Sequence, residues 1–154
     1  MINHPADNSA PQGGNNGSEG GIMPHSRLYY HVIWGTKNRE PRITKQIEPL
    51  LFDFIRSKAI GLGGYIYAIN GTEDHIHLVV HIPRTVPVSQ YVWKIKGSSS
   101  ARLNKLDLCT EKFYWQSEYS IFTISEFMIT RLIQYIENQK THHKKRSTKA
   151  GLEL

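Results

Sequence analysis

The stretch Gly71-Thr72-Glu73-Asp74-His75-Ile76-His77-Leu78-Val79-Val80-His81-Ile82 decides how the rest of the chain is read. Turn-forming residues lead into a strand whose side chains alternate between two faces. Ile76, Leu78, Val80 and Ile82 point one way, and that face is wholly apolar with high β propensity. His75, His77, Val79 and His81 point the other way. A half-buried strand normally hides one apolar face and wets the other. Here the second face carries imidazoles, and His75 and His77 sit on neighbouring pleats. Such a pair can converge on one ion, because neutral imidazole is the commonest side-chain metal ligand. The same His-x-His pattern also makes a plain polar sheet face, so its chemistry depends on what other elements bring to it.

Working outward, Tyr65-Ile66-Tyr67-Ala68-Ile69 reads as a strand joined to the histidine strand through the turn 71–74, a hairpin. Upstream, Leu28-Tyr29-Tyr30-His31-Val32-Ile33-Trp34 is a third strand by its aromatic and β-branched content. A basic loop, 35–42, follows it. Thr44 is placed to N-cap a helix over 45–60, with Pro49 tolerated in an early turn. Ile47, Leu50, Leu51, Phe54, Ile55 and Lys58 form its inner stripe, and Gly61, Gly63 and Gly64 end it.

Downstream, Pro83 and Pro87 close the histidine strand, and Ser89 is placed to cap a helix from Gln90 to about Leu106. Val92, Ile95, Ser99 and Leu103 mark its inner side; Lys94, Lys96 and Arg102 are expected outside. Gly97 in this helix permits close backbone approach, either in helix–sheet packing or by a DNA strand, with packing the favoured reading. Phe113-Tyr114-Trp115 reads as the rim of a core. Tyr119 to Ile124 is the fourth strand, and Ser125 caps a final helix. Ile129, Leu132, Ile133 and Ile136 are its inner stripe, with Arg131, Tyr135 and Gln139 on the adjoining one.

The order is β-α-β-β-α-β plus a C-terminal helix, an α+β ferredoxin-like (RRM-like) fold with an antiparallel sheet. The apolar side of the Ile76 strand belongs under the helices, which makes the histidine side the open face. Residues 1–22 are Asn-, Gly- and Ser-rich and are expected as a disordered leader; 23–146 form one domain and 147–154 a flexible basic tail.

The chain has 154 residues, a net charge of +6 and one cysteine, Cys109, which excludes an intrachain disulfide framework and a cysteine zinc cluster. There is no apolar run of membrane-helix length and no signal-peptide core, so a cytoplasmic protein without a membrane partner is expected. Basic charge with many aromatics admits a nucleic-acid partner. Lys37, Arg39, Arg42, Lys94, Lys96, Lys144, Lys145 and Arg146 are the candidate phosphate contacts.

Two histidines need a third donor, and Tyr135 and Gln139, one turn apart, can face one site. An amide oxygen with two imidazoles is a neutral set that leaves an ion's charge available to polarise phosphate. Mixed nitrogen and oxygen donors suit Mg²⁺ or Mn²⁺ better than zinc. Tyrosine is a possible covalent nucleophile, helped to ionise by a cation such as Lys140 or the metal.

These residues resemble a known family. His75-Ile76-His77 resembles the His-hydrophobic-His motif of HUH endonucleases, and Tyr135-Ile136-Glu137-Asn138-Gln139 with His142-His143 the tyrosine helix of single-tyrosine transposases of the insertion-sequence 200/605 type. Thr36-Lys37-Asn38-Arg39-Glu40-Pro41 and Lys96-Gly97-Ser98-Ser99 are also similar to that family. The resemblance implies that His75, His77 and Gln139 ligate a divalent metal. It implies that Tyr135 attacks single-stranded DNA to give a 5′-phosphotyrosine and a 3′-OH. It implies a homodimer that binds subterminal hairpins and excises and inserts the element as single strands. Relatives often carry glycines just before the final helix; Glu118-Tyr119-Ser120 has none, which leaves assembly in cis or in trans open. The alternative function is a catalytically silent or domesticated single-stranded nucleic-acid-binding protein of the same fold, for which Tyr135 would have no use as a nucleophile.

Overall fold

The computed structural model describes residues 27–144, with side chains up to Thr141. The leader, the tail, Lys145 and Arg146, and the side chains of His142, His143 and Lys144 lie outside the described residues. Four strands, β1 (Tyr29–Gly35), β2 (Tyr65–Gly71), β3 (His75–His81) and β4 (Ser120–Ile124), form one antiparallel sheet in the order β2-β3-β1-β4. Helix α1 (Glu48–Gly61) connects β1 to β2, and α2 (Val88–Lys105) connects β3 to β4. Two helices, α3 (Ile129–Glu137) and α4 (Gln139–Lys144), complete the described residues. This is the ferredoxin-like arrangement expected. No helix among the described residues is long and apolar enough to cross a membrane.

One side of the sheet carries the main core. Val32 and Trp34 of β1, Ile66 and Ile69 of β2, and Ile76, Leu78 and Val80 of β3 pack there with Leu51, Phe52, Ile55 and Ala59 of α1 and Tyr91, Val92, Ile95 and Leu103 of α2. Ile66 and Ile69 share this side although they are three apart, because the β2–β3 register shifts between Ile66 and Ala68. The extra residue, Tyr67, resets the alternation. Phe113 is fully buried in the same core. Trp115 meets Trp34 edge to face at 5.8 Å, and its Nε1 donates to Ser99 Oγ at 3.0 Å, so this pair is core as expected. Tyr114 between them is exposed.

The histidine side is not open. Leu132, Tyr135 and Ile136 of α3 pack on Ala68 and Val79 and form a second, smaller core over it. The apolar stripe of the final helix must be buried somewhere, and this face is where it goes.

Local boundaries differ in four places. Helix α1 begins at Glu48, after a turn in which the Thr44 carbonyl, not its side chain, accepts from Ile47 and Glu48. Helix α2 begins at Val88 behind Pro87, so Ser89 lies inside its first turn. Ser125 precedes a 3₁₀ turn, Glu126–Met128, without a side-chain cap. Glu118 and Tyr119 lead into β4 rather than α3, so their lack of glycine says nothing about a hinge at the final helix.

Candidate active site

His75 and His77 enter the site from β3 and are 3 % and 0 % exposed, with ring centroids 5.2 Å apart. The turn ahead of them is tight. A Cβ on Gly71 would stand 2.1 Å from the His75 carbonyl oxygen, so only glycine lets the hairpin close here.

The His75 ring is held at Nδ1. The Asp74 carboxylate accepts from it at 2.6 Å, and the Thr72 hydroxyl lies 2.9 Å from both groups and donates to Asp74. Arg39 donates from Nε to the other Asp74 oxygen at 3.2 Å, with its Nη2 3.1 Å from His75 Nδ1. Burial opposes ionisation of Asp74, but the hydrogen bonds from His75 and Thr72 and the Arg39 charge outweigh it and hold the carboxyl below its usual range. Arg39 reaches inward because Asn38 and Arg39 both take left-handed backbone angles, φ 57° and 56°. Such angles cost about 1–2 kcal/mol per residue and persist only where surrounding contacts impose them.

The His77 ring is held on both sides. Its Nδ1 is 3.0 Å from Nε2 of His31, and its Nε2 is 3.2 Å from the Gln139 amide nitrogen. His31 comes from β1, where Ile33 pairs with His77 and His31 with Val79, so the two imidazoles are diagonal neighbours. Their rings stack at 5.2 Å. Burial lowers the His31 pKa to about 4 and keeps the ring neutral.

Gln139 is fully buried. It is delivered by a break in the final helix, not by one continuous helix as the spacing predicts. Asn138 leaves helical geometry at φ −93°, ψ 11°, and its side chain and backbone N–H both donate to the Gln134 carbonyl. The end of α3 is anchored by Asn70 Nδ2, which donates to the Glu137 carbonyl at 2.9 Å. Tyr135 is 9 % exposed and packs with Val79, one pleat along β3 from His77 on the same face. Lys140, expected as an aid to ionising Tyr135, is ion-paired with Glu48.

Among the described residues no three His, Cys, Asp or Glu side chains come together as a metal cluster. An ion at this site would take its third protein donor from an amide. Donors about 2.1 Å from one ion stand about 3.0 Å apart at an octahedral right angle and about 3.4 Å apart at a tetrahedral one. The 3.2 Å between His77 Nε2 and the Gln139 amide falls between these. Half a turn of that amide exchanges its nitrogen for its oxygen, two ends that a hydrogen-bond network alone distinguishes. That spacing and the neutral donor types would suit a divalent ion between His77 and Gln139, with His75 the next imidazole on the same face of β3.

The candidate phosphate contacts fare differently. Lys37 lies over the Tyr114 ring at 5.5 Å, and Arg42 bonds to Glu40 and Glu111, which raise its pKa. Lys94 is half-buried. Lys96 is not outside: it is 8 % exposed and its Nζ donates to the Ser117 and Glu118 carbonyls at 3.0 and 3.2 Å. The helix period turns Lys96 toward the segment that leads into β4. Gly97 is not a packing glycine either, since a Cβ there would meet nothing within 4 Å. It opens onto a cleft of about 660 Å³ lined also by Trp93, Tyr114, Trp115 and Tyr119. His81 accompanies the site histidines only in sequence; it ends β3 beside the Leu28 carbonyl. His31 was not legible as a site residue, and the available signal was its phase: with Ile33 it alternates against Val32 and Trp34.

The pattern of the family described as "Transposase IS200 like" matches residues 24–139. The chain is 28 % identical over 118 residues to the ISDra2 transposase TnpA of Deinococcus radiodurans, covering 73 % of this chain and 84 % of that protein. A crystal structure of a protein from Deinococcus radiodurans assigned as a transposase superposes with a TM-score of 0.62 at 27 % identity, over 79 % of this chain and 97 % of that one. A REP-associated tyrosine transposase bound to a REP hairpin shares the fold at a TM-score of 0.59 and 16 % identity, over 79 % and 74 % of the two chains.

Proposed function

The chain belongs to the IS200-like transposase family of DNA-processing enzymes, and from that premise we propose that it cuts and rejoins single-stranded DNA through Tyr135. The phenol oxygen of Tyr135 attacks a backbone phosphorus. A phosphotyrosine forms at the 5′ side, and the 3′ oxygen leaves and takes up a proton. Attack by a different 3′-OH reverses the step and joins new partners without ATP. One observation carries this reading: the His77 imidazole and the Gln139 amide meet at 3.2 Å, four residues beyond a tyrosine in the same covering layer.

Mg²⁺ or Mn²⁺ held by His75, His77 and Gln139 would supply Lewis-acid polarisation of the scissile phosphate. Nε2 of each histidine would be the atom left to hold it, because Nδ1 is engaged by Asp74 in one ring and by His31 in the other. The chain's own groups do the rest. Asp74, Thr72 and Arg39 fix the first ring. The α3 packing fixes the height of Tyr135 over the sheet. A phenol with an ordinary pKa near 10 must lose its proton to attack, so it needs positive charge nearby when DNA is bound.

The substrate would be DNA with a hairpin beside the cleavage site, as the hairpin-bound relative of the same fold suggests. A homodimer would find exposed apolar surface on β4 and the turn after it, where Phe122, Phe127 and Met128 are 45 %, 97 % and 45 % exposed.

The test is covalent capture. Labelled single-stranded DNA with a hairpin and flanks is incubated with Mn²⁺, Mg²⁺ or chelator and run under denaturing conditions. A metal-dependent protein–DNA band is expected, and Tyr135→Phe should abolish it while keeping the fold. An adduct that survives in Tyr135→Phe removes the nucleophile. An adduct that survives chelation removes the metal.

A further inference from the structure

We propose that His31 is a positioning residue that sets which nitrogen of His77 carries the proton. This rests on the reading of His77 as a metal ligand and deepens it. A neutral imidazole has one N–H and one lone pair, and ligation by Nε2 requires the proton on Nδ1. A buried Nδ1–H requires an acceptor. Nε2 of His31, on a neighbouring strand, stands 3.0 Å from it and can accept. His31 must then hold its own proton on Nδ1, a buried atom with no hydrogen-bond partner among the described residues, a cost that the His77 contact has to offset. With its nitrogen toward His77 the Gln139 amide matches this state, and with its oxygen there it would match the other. As it stands, its nitrogen donates to His77 Nε2, and that contact occupies the lone pair an ion would take.

The two site histidines are thus oriented by different chemistry. His75 is held by a carboxylate, Asp74, at 2.6 Å and within reach of Arg39. His77 is held by a second imidazole, fully buried and stacked on it. Outer-shell partners of this kind commonly change metal affinity by about 10–100-fold when lost. The placement of His31 is also rigid: it pairs with Val79 on one side and with Phe122 on the other, in the middle of the sheet.

The experiment uses the full chain without DNA. Long-range ¹H–¹⁵N spectra of the imidazoles report each tautomer directly. The wild type should show His77 and His31 both protonated at Nδ1. His31→Leu should move the His77 proton to Nε2 and weaken Mn²⁺ binding, followed by calorimetry, about 10–100-fold. His31→Gln, which restores an acceptor oxygen, should recover most of both. The thermal transition of each variant reports folding separately.

A wild-type His77 protonated at Nε2 overturns the proposal without any variant. So does a His31→Leu that folds and binds Mn²⁺ like the wild type, or one that loses Mn²⁺ with the His77 tautomer unchanged. A wild type that binds no Mn²⁺ at all removes the metal reading instead, and the tautomers still decide the role of His31.

Discussion

The two faces of the sheet are built to different specifications. Under α1 and α2 the packing is deep and predominantly apolar, from Val32 and Trp34 across to Leu103, with Ser99 and Tyr91 each hydrogen-bonded within it. Under α3 the apolar cluster is small, and beside it lie His31, His75, His77 and Gln139, all buried. Buried polar groups cost free energy unless each finds a partner. The second face accepts that cost and meets it with a chain of short-range hydrogen bonds. The difference teaches where each property resides: the first face supplies stability, and the second spends some of it on placing ring nitrogens.

Neighbouring residues on β3 break this comparison most sharply. Leu78 faces the large core and is 1 % exposed; His77 faces the other way and is 0 % exposed. Leu78→Ala should cost about 2–5 kcal/mol, read by denaturant unfolding, while the folded fraction still binds Mn²⁺. His77→Ala should eliminate Mn²⁺ binding and covalent capture of DNA. If His77→Ala keeps both, the division of labour between the faces is wrong. If Leu78→Ala loses Mn²⁺ binding while folded, the faces are coupled rather than separate.

Asp74→Asn is a finer probe of the polar face. It keeps the volume and hydrogen-bonding shape but removes the charge that pairs with His75 and Arg39. Mn²⁺ affinity should fall about 10–100-fold with a small change in stability, measured by calorimetry and thermal unfolding side by side. Unchanged affinity would leave the Asp74–His75 contact as a structural bond only.

The large face was the more legible of the two, for a physical reason. Its signal is local: alternation at Ile76, Leu78 and Val80, and the helical spacing of Val92, Ile95, Ser99 and Leu103, each survive without knowing the partner strand. The polar face is assembled from four distant segments. His75, His77 and Gln139 could be singled out by motif, yet their surroundings could not. His31 is one of several polar or aromatic residues on β1, and only the β1–β3 register makes it the neighbour of His77. The shift at Tyr67 has no strong local punctuation such as proline, and the break at Asn138 carries only the weak signal of an asparagine at a helix end. Reading the histidine face as open failed because the sixth element of the fold was followed by a helix whose apolar stripe had no other place to go.

Lys96 shows the smallest and most specific effect. Its ammonium is buried in the large face's outer layer, bridging α2 to the carbonyls of Ser117 and Glu118. Burial pulls its pKa below the ordinary value, against the opposing charge of Glu118. Lys96→Met keeps the stem and removes the donors, at an expected cost of about 1–3 kcal/mol at neutral pH. The sign of the pH dependence separates burial from pairing. With the folded pKa below the unfolded one, the unfolded chain binds more protons between the two values, so folding stability rises with pH there. The wild-type advantage over Lys96→Met should therefore widen as pH climbs toward about 10.4, the ordinary lysine value. An advantage that narrows over the same range would mean that the two carbonyls and Glu118 stabilise the charged form more than burial opposes it. Lys96 would then act as a cationic clamp on the approach to β4 rather than as a lysine tolerated inside the core.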